Sequence, residues 1–165
     1  MKGSEESEAP ATADELTIHL FKPRALMNIL GPVINGYHAE LCRSQSPPRI
    51  ILLHDELDIA PLKVRLKSPH HSLKPKGHNG LRSVLSAVPA CRHKFVHTIG
   101  IGIGRDPHNT SKDSSAVGKW VMSPLERAEI QACSWSEESR LSGHPIYGAV
   151  VKEVWKYVRN VTRMP

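Results

Sequence analysis

Apolar and polar residues alternate along this chain in several rhythms, and each predicts an element. Thr17 to Phe21 (Thr-Ile-His-Leu-Phe) reads as a short strand. Ile50 to Leu53 is a continuous apolar run, the pattern of a strand buried on both faces. Leu62, Val64 and Leu66 alternate with Lys63, Arg65 and Lys67, the period of a half-buried strand. Ile99, Ile101 and Ile103 alternate with Gly100, Gly102 and Gly104, which predicts a strand that a neighbour or ligand can approach closely.

Between these runs the period lengthens to that of helices. Gly31 and Pro32 can open a helix whose apolar face is Val33, Ile34, Tyr37 and Leu41, with Pro47-Pro48 as a breaker after it. Leu81, Val84, Leu85 and Val88 fit one helical stripe, with Asn79 as N-cap and Pro89 past the end. Ser123-Pro-Leu-Glu126 has the form of a capping box opening a helix to about Ser134. Residues 145–160 predict a last helix with Ile146, Val150, Val154 and Val158 on one stripe. Residues 22–28 and 68–77 read as loops. Strands interleaved with helices predict an α/β fold, a sheet with helices on both faces.

Composition adds a boundary and a partner class. Residues 1–16 carry five acids and one base with little to bury, so a disordered acidic tail is expected there, followed by one domain over 17–165. That body holds 21 Lys and Arg against 11 Asp and Glu, a balance of +10 that suits an anionic partner such as nucleic acid. No apolar run approaches the roughly 18 residues of a membrane span. Cys42, Cys91 and Cys133 have no Cys-x-x-Cys spacing, which fits reduced thiols in an intracellular protein. His70, His71 and His78 match no standard metal-ligand spacing.

Two places gather polar chemistry. His54-Asp55-Glu56-Leu57-Asp58 leaves the carboxyl end of an apolar strand, where ligand sites of open α/β sheets lie. Gly77-His78-Asn79-Gly80 opens a helix, where backbone N–H groups favour an anion and glycine permits close approach. The stripe of Lys63, Arg65 and Lys67, and Arg82, could contact phosphate or simply face solvent.

Taken in order, these residues resemble one family. Lys22-Pro23 with Met27-Asn28 and Gly31 is similar to the Lys-Pro-x-x-x-Met-Asn-x-Ser-Gly pattern of the peptidyl-tRNA hydrolases of the bacterial and organellar type. His54 to Asp58 matches the family's His-Asp-Glu-Leu-Asp, and Gly77 to Ser83 its Gly-His-Asn-Gly-Leu-Arg/Lys-Ser. Ile101 to Arg105 resembles its Ile-Gly-Ile-Gly-Arg-Pro, and Val121-Met122 its Tyr-Val-Leu strand.

The resemblance implies a single-domain, three-layer mixed sheet flanked by helices, without metal or organic cofactor. It implies hydrolysis of the ester joining a peptide to the terminal ribose of tRNA. Asp55 is then expected to orient a catalytic histidine. Asn28 and Asn79 are expected to bond the peptide and the attacking water. Met27, His78, Gly77, Gly80 and Lys67 become substrate-binding positions, Lys67 for tRNA phosphate. Such chemistry needs a base for the water proton and amide donors for the oxyanion. A monomer, mitochondrial or cytoplasmic, is expected.

The family's opening strand, its Gly-Leu-Gly-Asn-Pro-Gly and its Thr-Arg-His-Asn, whose histidine is the base, find no counterpart in residues 1–16. The expectation is therefore a shortened domain lacking the first strand and weak in catalysis. The alternative is a non-catalytic remnant that still binds tRNA. Leu30, Thr98 and Gly100 also depart from the family's Ser and two Arg.

Overall fold

The computed structural model describes residues 16–44, 48–67, 73–109, 111–134 and 145–162. Residues 1–15 of the expected tail, Pro47, His70, His71 and Ser72 lie outside the described residues.

One mixed sheet holds β1 (Ile50–Glu56), β2 (Val64–Lys67) and β3 (Val96–Gly102) in the spatial order β1-β3-β2. β3 runs parallel to β1, with Ile50 opposite Val96 and Glu56 opposite Gly102, and antiparallel to β2. A parallel pair needs a crossover, and helix α2 (Asn79–Ala87) lies on that path. Helix α1 (Leu30–Ser44) packs on α2. Val84 and Val88 of α2 close over Val96, joined by Leu30, Ile34, Ile50 and Leu52. The opposite side of the sheet carries α5 (Pro145–Thr162), whose buried Tyr157 donates or accepts a 2.8 Å bond with buried His97 of β3. Helices α3 (Ser114–Val121) and α4 (Arg127–Cys133) precede it, and α4 packs on α5. Helices on both faces of a mixed sheet give the three layers expected. Among the described residues, no helix is long and apolar enough to cross a membrane.

α1 meets α2 at a glycine. A Cβ at Gly31 would lie 2.0 Å from the Ser83 carbonyl oxygen, so only glycine permits this crossing. Its backbone N–H donates to Ser83 Oγ at 2.9 Å. The glycines of β3 serve the same end. A Cβ at Gly102 would lie 2.0 Å from the Ala60 carbonyl oxygen, and one at Gly100 would press on Glu56 and Ile59. What approaches this strand is therefore the β1–β2 loop, which must cross the end of β3 to join its two neighbours.

Several expectations need correction. Thr17 to Phe21 forms no strand; Leu20 is 96% exposed and Phe21 stacks on Tyr37 at 4.4 Å. β1 is not buried on both faces: it stands at a sheet edge among the described strands, with Leu53 exposed, and central β3 is the buried one. β1 also runs on through Glu56, because the polar residues complete the ladder with β3. On α1, Val33 faces outward and His38 is buried instead, its Nε2–H donating to the Pro48 carbonyl at 2.9 Å. Val121 ends helix α3 and Met122 caps it, so they form no strand. The capping box uses Glu126 and Glu129, not Ser123 and Glu126.

Candidate active site at the carboxyl end of the sheet

β1 ends in the sequence His54-Asp55-Glu56, and α2 begins where β1 ends. The approach to α2 turns through Lys76 and Gly77, both at positive φ (41° and 92°). Gly77 accepts that conformation without strain, and the turn delivers His78 to the helix start. His78, not Asn79, is the N-cap: its Nδ1 accepts the Leu81 backbone N–H at 3.1 Å. With Nδ1 bare, Nε2 carries the ring hydrogen and donates it to Asp55 Oδ1 at 3.1 Å. That bond joins the two motifs. It draws the Asp55 carboxyl below its usual range, and the Asp55 carboxylate in turn raises His78.

Around this pair the structure gathers Met27 and Gly80. A Cβ at Gly80 would lie 2.6 Å from Met27 Cγ and 2.9 Å from His78 Cε1, so Met27 covers the first turn of α2. Met27 and Asn28 belong to a 3-10 turn that packs on α2. Asn28 and Asn79 are both exposed, and Asn79 Oδ1 accepts from Arg82 Nη1 at 3.3 Å. Among the described residues, no hydrogen bond joins the Asn28 side chain to Asp55 or His78.

The acids of the motif are each engaged. Burial would raise the Glu56 carboxyl, but the Lys67 ammonium bonded to it, with the Asp58 backbone N–H, lowers it overall. Lys67 is thus committed to Glu56 rather than standing free. Asp58 bridges Lys76 at 2.8 Å and Arg105 at 2.6 Å, and these cations hold its carboxyl down at about 2. The bridge fastens the ends of β1 and β3 to the approach of α2; the residue order gave no sign of it. Beside it, a cavity of ≈ 160 Å³ begins at Leu57 and runs under Val117 and Trp120 of α3.

His54, named within the strand-end motif but given no role by the sequence, packs beside this pair. It lies two residues beyond core Leu52 on β1, so the strand period aims it at the α2 side. Its ring meets the His78 ring edge-on at 5.2 Å. Burial depresses its pKa, so it stands neutral near pH 7. No group of three or more metal-ligating side chains occurs among the described residues.

The chain matches the family model described as peptidyl-tRNA hydrolase over residues 2–142. It is 38% identical over 105 residues to the peptidyl-tRNA hydrolase of Saccharomyces cerevisiae, covering 64% of this chain and 52% of that protein. It is 34% identical over 140 residues to peptidyl-tRNA hydrolase 2 of Corynebacterium jeikeium, covering 84% of this chain and 53% of that protein. The chain thus spans about half the length of these relatives. A crystal structure of peptidyl-tRNA hydrolase from Acinetobacter baumannii superposes with a TM-score of 0.49 at 24% identity, over 79% of this chain and 60% of that one. With the family model matched over most of its length, the chain belongs to the peptidyl-tRNA hydrolase family.

Proposed function

We propose that this chain hydrolyses the ester between a peptide and the terminal ribose of tRNA, returning free tRNA to translation. The observation that carries this reading is the Asp55–His78 bond, which brings a carboxylate and an imidazole together at the start of the helix that Asn79 opens. The electropositive end of α2 suits the oxyanion that forms when water attacks the ester. Asn79 supplies an amide donor there, and Asn28 a second one from the neighbouring turn. Met27 and Gly80 shape an apolar edge for the peptide. Arg82, Arg65 and Lys63 are exposed cations within the basic body, suited to tRNA phosphates. Family membership supports the same reaction class.

The test is release of N-acetylaminoacyl residue from tRNA by the full chain, with free-amine aminoacyl-tRNA as control. Preferential cleavage of the acetylated substrate is expected. Asn79→Ala should slow cleavage by about 10²- to 10³-fold, the cost of one oxyanion donor. Binding of tRNA without any ester cleavage would reduce the reading to a tRNA-binding domain.

A further inference from the structure

β1 pairs with β3 along one side only. The Glu56 carbonyl accepts the Ile103 N–H, so the main-chain groups of Glu56 face β3. The strand period turns those of Ile50, Leu52 and His54 the same way, and those of Ile51, Leu53 and Asp55 outward. The Asp55 carbonyl oxygen, on that outward side, takes the His54 Nδ1–H at 2.6 Å. No strand among the described residues pairs with this outer edge.

Open edges are ordinarily blunted by lysine, proline or a bulge. β1 has none of these: it reads Ile-Ile-Leu-Leu-His-Asp-Glu, and its register with β3 is continuous. Ile51 lies opposite His97, which bonds Tyr157, so Ile51 and Leu53 stand on the face that carries α5. α5 packs on β2 and β3, and Leu53 is left 54% exposed. The edge is thus an unpaired backbone with an apolar side chain at its centre. The chain outside the described residues does not suit it. Residues 1–15 and 135–144 are rich in Ser and Glu and lack the apolar alternation of a strand.

We infer that β1 pairs antiparallel with β1 of a second copy of this chain, across a two-fold axis at Leu53. This dimer is independent of the hydrolase reading and stands in place of the expected monomer. The outward residues Ile51, Leu53 and Asp55 are symmetric about Leu53, as a closed two-fold interface requires. With the axis perpendicular to the sheet, Leu53 lies opposite Leu53 of the second copy, and Ile51 opposite its Asp55. These are the pairs of an antiparallel ladder that exchange N–H and C=O, so each outward donor meets an acceptor. The Asp55 oxygen keeps a second lone pair for that bond. The two Leu53 side chains cover each other on the α5 face. Charge also favours the antiparallel direction. Exposed Arg49 precedes β1 and Asp55 and Glu56 end it, so the basic end of each strand lies beside the acidic end of the other. The pairing gives the Asp55 end of β1 a neighbour on both sides.

The experiment is sedimentation equilibrium of the full chain from about 1 to about 200 µM, alongside Leu53→Lys, Leu53→Glu and an equimolar mixture of the two. The unmodified chain should rise to twice its monomer mass. Each variant alone sets like charges across the axis and should associate at least about tenfold more weakly. The mixture sets opposite charges there and should recover the dimer. A monomeric unmodified chain overturns the proposal, as do assemblies larger than a dimer. Variants that dimerise as the unmodified chain does, or a mixture that stays monomeric, overturn it equally. Should the variants fail to unfold cooperatively, amide hydrogen exchange in the unmodified chain decides. The Ile51 and Leu53 N–H groups should be protected at high concentration and lose that protection on dilution. Fast exchange of both at every concentration overturns the pairing.

Discussion

Asp55 Oδ1 and His78 Nε2 meet at 3.1 Å, joining residues 23 positions apart. The same imidazole caps α2, so the strand end and the helix start share one side chain. His78→Asn separates these duties. Asparagine is among the best N-caps, so the helix start should survive. It cannot pair with Asp55 as an imidazole does. Urea unfolding should place His78→Asn within about 1 kcal/mol of the original chain, whereas His78→Ala should lose a further ~1 kcal/mol with the cap. Equal stability of the two variants would mean the cap bond contributes nothing.

The pair sets a pH window. Asp55 is depressed below 3.8, so its share of the stability is present above pH 3.8 and is lost as pH falls through its folded value. His78 is raised above 6.5, so its share is full below pH 6.5 and is lost as pH rises through its folded value. Protonation also places a hydrogen on Nδ1 and removes the acceptor for Leu81 N–H, so the ion pair and the helix cap compete. The melting-temperature difference between the original chain and Asp55→Asn should therefore be largest between about pH 4 and 6.5, shrinking on both sides. A pH-independent difference would sink this assignment.

The order of elements could be read from the sequence because burial imposes its period. The Ile–Gly alternation of β3 and the Leu81-Val84-Leu85-Val88 stripe of α2 each point at a packed face, and both elements form. What could not be read depends on partners distant in sequence. Thr17 to Phe21 has a strand's composition, yet a strand exists only beside another, and its ring stacks on Tyr37 instead. His38 turns inward because the Pro48 carbonyl takes its N–H. α3 is short, and the Asp113 N-cap accepting the Ser115 N–H was its one local sign. In the site, the two motifs were visible as strings. That His78 would cap the helix and hold Asp55 at once required the geometry of β1 against α2.

Gly31 and Gly102 should resist substitution for a steric reason. An alanine Cβ would stand 2.0 Å from a backbone oxygen at either place, Ser83 or Ala60. Backbone must shift, and overpacking of this kind costs about 1–3 kcal/mol. Gly36→Ala, where a Cβ meets nothing within 4 Å, is the control and should be neutral or slightly stabilising on α1. Urea midpoints compare the three. A Gly31→Ala chain as stable as Gly36→Ala would show that α1 and α2 do not cross this closely.

Asp58 offers a last test, in which stability and binding should part company. Its bridges to Lys76 and Arg105 are exposed, and exposed ion pairs contribute about 0–1 kcal/mol. Asp58→Asn should therefore change the urea midpoint little. It frees two cations next to the proposed tRNA surface and removes a negative charge. If those cations then meet phosphates, tRNA affinity at low salt should rise. The slope of log affinity against log salt should steepen by roughly 0.7–0.9 for each further phosphate neutralised. Titrations at several salt concentrations give that slope directly. An unchanged slope with unchanged affinity would place Lys76 and Arg105 away from the tRNA, leaving their bridge to Asp58 as a fastening of the two strand ends to the approach of α2.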